Sequence, residues 1–528
     1  MNIEAGPILF ALILGVVLAS GVAWFVSGLY RRRMLALMRG GPSPDDARAR
    51  PEAGPAAMPA HRPTPRLDPA ANRRASLRYL LAMSVLCVLI GLTQSWLALL
   101  FVYANGPFSL NRLVVLGLVY AWPMVMAWGL LRRWSWSRIV TGIAAYMIAM
   151  AGVVILASDG NQTLAGVSAW LGGVVAIPVL VTLLIGSSGR IRAVAPYLLP
   201  VFLLLSAASV VALEMLAQGI DDPPAWLLGL VGTVGAHATL LLVALAPWLV
   251  LAWPVWALAR WLAHAYRDKR FSDLGYLFAA YWFVVLASSA LPALQAVGLI
   301  GLTQLLPWLW LPLAARVLDR RRAPPDDPAT LLVLRVFQQD AKVEALFDRV
   351  VERWRLTGNT VLIAGTDLVS RTLDPDDLFT FLDGRLAGRF IANEAELAAR
   401  MAAFDLAPDP DGRYRVNECY CFDTTWQAAL AALVRRSDVV LMDLRGFRAG
   451  NRGCRHELGV LADAAHLRRV VLLHDATTQR DVAEADIARA APERFVWVEA
   501  EHLGGARAGK VLAALFGGRQ IAGIATPA

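Results

Sequence analysis

The densest run of chemically capable side chains is Asp443-Leu-Arg-Gly-Phe-Arg-Ala-Gly-Asn-Arg-Gly-Cys-Arg-His-Glu-Leu-Gly459. A carboxylate ends an apolar run, a glycine-containing polar loop follows, and a helix begins with Glu457 expected in its first turn. Such a loop leaves free backbone N–H groups at a helix N-terminus, a setting that suits phosphate. Arg445, Arg448 and Arg452 could meet that phosphate, while Glu457 could meet a ribose or act as a nucleophile. An ordinary capped helix accounts for the same residues, with Glu457 stabilised by the helix dipole and the arginines solvated. Both readings stay open on physics alone.

Three further groupings could do chemistry. Gly365 and Asp367, in Ala364-Gly-Thr-Asp367, follow a second apolar run, and Asp367 with Asp443 would make a paired carboxylate site. Capping of the turns that follow is the equal alternative. Cys419-x-Cys421 and Cys454-x-His456 offer four zinc-compatible ligands, but structural zinc knuckles favour two or more intervening residues. The cysteines therefore read as reduced thiols, partly core, and no metal is assigned. His456 is either a second acid/base beside Glu457 or an exposed helix histidine, and Trp354, Trp426 and Trp497 read as core.

The elements that must position these residues alternate. Leu331–Phe337, Thr360–Ala364, Asp438–Met442, Arg469–Leu473 and Phe495–Val498 are short apolar, β-branched runs, and Arg413–Tyr420 is a polar one. Between them lie helical spacings at Asp340–Leu356, from Asp374 (N-cap, with Pro375 first), at Asn393–Phe404, Thr424–Arg436, Cys454–Ala465 and Asp481–Ala490, with a last one at Ala508–Phe516. Apolar strands alternating with helices imply a mostly parallel sheet with helices on both faces. Ligands in such sheets bind beyond the carboxyl ends of the strands, where all the candidate loops lie.

The segment Asn451-x-Gly453-Cys454-x-x-Glu457-x-Gly459, after a strand ending in Asp443, resembles the Asp-x-Gly-x-x-x-Glu-x-Gly segment of nucleoside 2-deoxyribosyltransferases. More loosely, the α/β layout is similar to that of TIR domains, a flavodoxin-like arrangement. The resemblance covers about 20 residues by motif and the rest of the domain by layout. It implies that Glu457 attacks an anomeric carbon or serves NAD cleavage, with Asp443 positioning the sugar and Asn451 and Gly453 shaping a ribose pocket. Asn451 stands where the transferases carry Asp. Their signature after the first strand is replaced here by Arg335-Val-Phe-Gln-Gln339, and an Ala-Gly follows the second strand instead.

The other half of the chain has a different composition. The 528 residues are 57% hydrophobic and 17% charged with net charge +9, against about 25% charged in soluble proteins. Residues 1–325 hold 25 basic and 12 acidic side chains, a net +13; residues 326–528 hold 25 and 29, a net −4. The basic excess thus belongs to the apolar half, which excludes a nucleic-acid patch on the soluble half. Four cysteines exclude a disulfide-built secreted scaffold.

Stretches of about 20 apolar residues can cross a bilayer. They fall at 7–30, 79–103, 111–131, 139–158, 164–186, 195–218, 228–262, 275–294 and 297–316, with kinks expected at Pro247 and Pro254 and a re-entrant turn near Pro292. Of the 25 basic residues in this half, 24 lie in alternate loops and only Arg112 in the others. Nine crossings satisfy that pattern, placing the N-terminus outside and the C-terminal half in the cytoplasm of a bacterial-type inner membrane. Tryptophans near span ends (Trp134, Trp136, Trp226, Trp308, Trp310) suit the interface.

The expected organisation is a first anchor (1–33), a disordered Pro/Ala/Arg-rich linker (34–76), an eight-helix bundle (77–322), a linker (323–330), the α/β domain (331–518) and a tail (519–528). Inside the spans ionisable groups are scarce. Glu214 lies near a span end, His237 sits deeper, and Gln94 and Gln295 suit interhelical hydrogen bonding. The sequence therefore points to a membrane-held nucleotide-binding or signalling domain. Membrane-anchored cleavage of an N-glycosidic bond in NAD or a nucleoside is the alternative, and transport through the bundle a third. Expected partners are the lipid bilayer, a nucleotide such as NAD as ligand and a second copy of the chain, with no nucleic acid.

Overall fold

The computed structural model describes residues 5–40, 67–104, 106, 108–132, 134–158, 162–186, 189–219, 223–320, 328–336, 340–364 and 375–517. The chain divides into two units. One comprises Met1–Ser27, Leu80–Leu318 and Asp374–Phe379, the other Gly28–Tyr79, Asp319–Leu373 and Thr380–Ala528.

Twelve α-helices precede the sheet among the described residues: α1 (Ala5–Gly40), α2 (Pro69–Leu97), α3 (Leu110–Tyr120), α4 (Pro123–Arg132), α5 (Trp136–Ala157), α6 (Leu164–Gly186), α7 (Gly189–Gln218), α8 (Ala225–Val234), α9 (Ala236–Val250), α10 (Ala252–Arg267), α11 (Asp273–Val297) and α12 (Trp310–Arg320). Helices α1 and α2 take both ends of the expected 34–76 linker, whose remainder, 41–66, lies outside the described residues.

Seven helical stretches are long and apolar enough to cross a membrane, or eight if one bent pair is a single span. Nine were expected, and two local geometries account for the difference. The stretch read as 228–262 is broken between α8 and α9 by a 119° bend. The break falls at Gly235, whose φ of 84° favours glycine, while Pro247 sits inside α9 and Pro254 near the start of α10. The last two stretches form one 42-residue apolar run that folds back on itself. It reverses at Gly298 (φ +68°), not at Pro292, which lies within α11. The return limb Gly298–Leu309 is a 3₁₀-helix continuing into α12. Trp308 Nε1 donates to Ala279 O at 3.0 Å, and a Cβ on Gly301 would stand 2.5 Å from Ala293 backbone carbon. Glycine is required there because the two limbs touch through their backbones. Trp308, Trp310, Trp134 and Trp136 pack against the buried cluster around Trp122 and Trp282, whereas Trp226 is exposed.

The other unit holds seven strands: β1 (Thr330–Arg335), β2 (Asn359–Ile363), β3 (Phe390–Ile391), β4 (Val416–Cys421), β5 (Val439–Asp443), β6 (Arg469–His474) and β7 (Phe495–Glu499). Their order is β3-β4-β2-β1-β5-β6-β7, and every pairing is parallel. The expected strands all appear, within a few residues of their read boundaries; β3, two residues at the edge, is an addition. Six helices accompany them, α13 (Asp340–Leu346, extended by a π-turn to Trp354), α15 (Glu394–Ala402), α16 (Trp426–Arg436), α17 (Arg452–Asp463), α18 (Arg480–Ile487) and α19 (Gly505–Phe516), while α14 (Pro375–Leu382) is divided between the two units. Asp374, the expected cap of α14, lies outside the described residues.

Strand period two divides the core into two layers. Leu332, Leu334, Val361, Ile363, Val440 and Met442 point to the layer shared with α16, α17 and α18. Leu331, Val333, Leu362, Leu441 and Leu473 point to the layer shared with α13 and α19. Each such buried aliphatic contributes about 1.5–3 kcal/mol of transfer free energy, which is why both faces must be covered.

Candidate functional site

At the carboxyl edge of the sheet a cleft of about 380 Å³ opens between the ends of β2 and β4 and the start of α17. Ile363, Cys421, Phe422, Asp423, Trp426, Asn451, Gly453, Cys454, Glu457 and Met38 line it. Of the sequence-derived candidates, Glu457, Asn451 and Gly453 line this cleft.

Glu457 lies in the second turn of α17, not the first, because the helix begins at Arg452. The position turns its carboxyl inward, away from the dipole's N-terminal amides, and it is 4% exposed. Its Oε2 has no hydrogen-bond partner. Burial pushes the carboxyl up to about 8, against the opposing pull of Arg335 at the end of β1. A carboxyl so placed is mostly protonated at neutral pH, and it can donate or, once ionised, accept from a ligand in the cleft.

Asn451 stands at the N-cap of α17 but does not cap it. Its Oδ1 instead accepts from the Arg448 N–H at 2.7 Å, closing the Arg448–Asn451 loop. The first-turn N–H groups of Gly453 and Cys454 therefore carry no side-chain cap, and both residues line the cleft. Uncapped amides at a helix start favour an anionic group. Arg452 and Arg448 are exposed beside them.

Asp443 and Arg445 belong elsewhere. Neither lines the cleft. Arg445 Nε donates to Asp443 Oδ1 at 2.7 Å, its Nη2 to Asp443 Oδ2 and, at 2.8 Å, to Lys342 O, and its Nη1 to Ala500 O at 3.3 Å. Both side chains are buried. Arg445 thus cross-links loop ends of the sheet, with its fork fully engaged rather than facing a phosphate. Gly365 and Asp367 lie outside the described residues, so the paired-carboxylate expectation for Asp367 and Asp443 does too.

Trp426, read as core, packs against the core and also lines the cleft, and sequence reading missed two charged residues: Arg335, which pulls on the Glu457 carboxyl, and Asp475. Asp475 accepts from Lys342 Nζ at 2.8 Å, from the Thr477 N–H at 3.0 Å and from the Thr477 hydroxyl at 2.8 Å. Burial would raise its carboxyl, but these donors hold it well below the usual carboxylate range. The Lys342–Asp475 ion pair was not legible because Lys342 arrives from the first turn of α13, more than a hundred residues earlier in the chain.

All four cysteines are free and buried, and burial raises Cys419 to about 12. No group of three or more His, Cys, Asp or Glu is placed to hold a metal among the described residues. His456 is exposed, with its ring edge-on to Trp426 at 5.4 Å. In the helical half, Glu214 is half-buried and His237 exposed. Gln94 is buried with neither amide atom hydrogen-bonded, so it does not form the expected interhelical bond, and Gln295 is exposed.

The architecture defines a class: an apolar multi-helix region joined to an all-parallel α/β unit with a polar cleft at its strand ends. Compared with known protein families, curated proteins and solved structures, the chain matches none.

Proposed function

We propose that the α/β unit binds a nucleotide-class ligand in the Glu457 cleft and that the apolar helices hold it at a membrane, with the basic loops and the α/β unit on the cytoplasmic side. The observation that carries this reading is the buried, unpartnered Oε2 of Glu457 facing a cleft of about 380 Å³. A buried polar atom without a partner costs roughly 1–3 kcal/mol, which a ligand hydroxyl would relieve. The uncapped amides of Gly453 and Cys454 suit a phosphate, and the Trp426 and Phe422 rings offer surfaces for a base. Calorimetric titration of the full chain in detergent with ADP-ribose, NAD and adenosine tests it. Binding weakened at least tenfold by Glu457→Gln is expected; no binding, or binding indifferent to that change, overturns the reading.

The raised carboxyl favours a second, enzymatic reading. Ribose hydroxyls donating to Glu457 would stabilise its charged form, and the carboxylate so generated could attack the anomeric carbon, displacing the base from an N-glycosidic bond. Water would then release the sugar. Nicotinamide release from NAD, abolished by Glu457→Gln, would establish this; silence with intact binding leaves a ligand-binding signalling module.

A further inference from the structure

One wall of the cleft comes from far away in the chain. Met38, two residues before the end of α1, lines it together with Glu457. The Met38 carbonyl accepts a hydrogen bond from the Asp423 N–H at 3.1 Å, and Asp423 is itself a cleft residue. About two turns earlier on the same helix, the Tyr30 hydroxyl meets the Tyr420 hydroxyl at 3.1 Å, and the Tyr30 ring stands edge-on to Phe381 with centroids 5.4 Å apart. Tyr30, Met34 and Leu37 are all buried, and with Met38 they follow the i, i+4, i+7, i+8 spacing of one helical face. The last three turns of α1 are therefore held at the cleft by a hydroxyl pair, an edge-on ring contact and a main-chain hydrogen bond, with Met38 in the wall.

We propose that this carboxyl-terminal end of α1 is the gate of the cleft: docked it forms a wall, and released it opens the way to Glu457. The proposal rests on the reading of the cleft as a ligand site and adds its regulation. Helix α1 is continuous from Ala5 to Gly40, so Met38 lies on the same helix as the apolar amino-terminal part. Helix shifts of an ångström or two suffice to repack such a contact. By linkage, a ligand that fills the cleft with the wall in place also holds the helix in its docked position.

The local chemistry supplies a selective perturbation. Phe422–Thr425 is a turn closed by the Thr425 N–H on Phe422 O at 3.0 Å, with Asp423 second in it. Proline is favoured at that position and has no N–H. Asp423→Pro therefore deletes the donor to Met38 while sparing the turn; Asp423→Ala keeps the donor and loses only the carboxylate. Cys421 and Cys454 line the cleft, whereas Cys419 is buried away from it.

The test is site-resolved labelling of the full chain in nanodiscs with N-ethylmaleimide, read by peptide mass spectrometry. In the Tyr30→Phe/Asp423→Pro variant, Cys421 and Cys454 should label at least about tenfold faster than in the native chain. Cys419 should stay protected, and Tyr30→Phe/Asp423→Ala should stay closer to native. A Met38→Cys reporter in the same background should also label faster. If Met38→Cys is freed while Cys421 and Cys454 stay slow, the helix end is no gate. If Met38→Cys stays slow, these contacts do not hold the helix. If Cys419 accelerates equally, the unit has loosened as a whole; each of these results overturns the proposal. Failure of ADP-ribose to bind would defeat the nucleotide reading and leave the labelling result standing.

Discussion

Two carboxylate regions sit at the same edge of one parallel sheet, and they have opposite electrostatic histories. At the ends of β5 and β6, Asp443 and Asp475 are surrounded by donors: the Arg445 fork for one, Lys342 and the threonine pair for the other. In α17, Glu457 is equally buried but faces a cleft with one oxygen unpartnered. Burial disfavours a charge unless partners compensate it. The first region has spent its charges on stability, and the second has kept one in reserve. What separates a structural carboxylate from a functional one here is the count of donors around it, not residue type or depth.

The contrast predicts effects of opposite sign. Asp443→Ala leaves the Arg445 guanidinium buried without its counter-ion, so the α/β unit should lose about 3–5 kcal/mol, seen as a large drop in the denaturant midpoint of the full chain. A small loss would erase the distinction between the regions. Next in size is Glu457→Gln, which should stabilise the unit. The Glu457 carboxyl is raised from about 4.5 to about 8, so the folded state holds its proton where the unfolded chain has lost it. That contribution is fully present below about pH 4.5 and is lost as pH rises through 8. Native stability should therefore fall by an amount on the order of 3 kcal/mol between about pH 4.5 and pH 7. Glu457→Gln should flatten the fall; an unchanged pH profile would mean that the carboxyl is already compensated.

Asp475 runs the other way. Its carboxyl is held below the usual range, so its contribution is present above about pH 4 and lost on acidification. Lys342→Met should remove about 1–2 kcal/mol at neutral pH and shift acid unfolding upward in pH, which circular dichroism would follow. The finest test concerns ligand. If hydroxyls of the bound molecule donate to an ionised Glu457, binding releases a proton. Affinity for ADP-ribose should then rise toward tenfold per pH unit below 8 and level off above it. Affinity that falls through the same window would mean that the carboxyl donates instead. Asn451→Ala, which opens the loop at Arg448, should cost only about 1 kcal/mol.

How much of this was visible in the sequence depends on how local its cause is. Strands β1, β2, β5, β6 and β7 were legible because their apolar, β-branched runs are what burial on both faces demands. The edge strand β3, two residues long, carries no such signature. Glu457 could be singled out by its loop-to-helix setting, but its surroundings come from distant parts of the chain: Arg335, Trp426 and Met38. Arg445 looked free because the acceptors that hold it, Lys342 O and Ala500 O, come from the start of α13 and from the residue after β7. The 119° bend was assigned to prolines, whereas the chain turns at Gly235, where a positive φ permits what a proline inside a helix only strains.

The central position of β1 has a kinetic consequence. Its neighbours are β2, which begins about 30 residues later, and β5, paired through Leu331 and Val439. At a synthesis rate of roughly 5–20 residues per second, the β5 side of this strand waits several seconds after β1 has emerged. During that interval Leu331-Leu-Val-Leu334 presents an unpaired apolar edge, the kind of segment that chaperones shield and that other nascent chains can capture. The fully buried central strand of the finished sheet is thus the most vulnerable stretch of the growing one, and yield on expression should follow the speed of translation across residues 336–439.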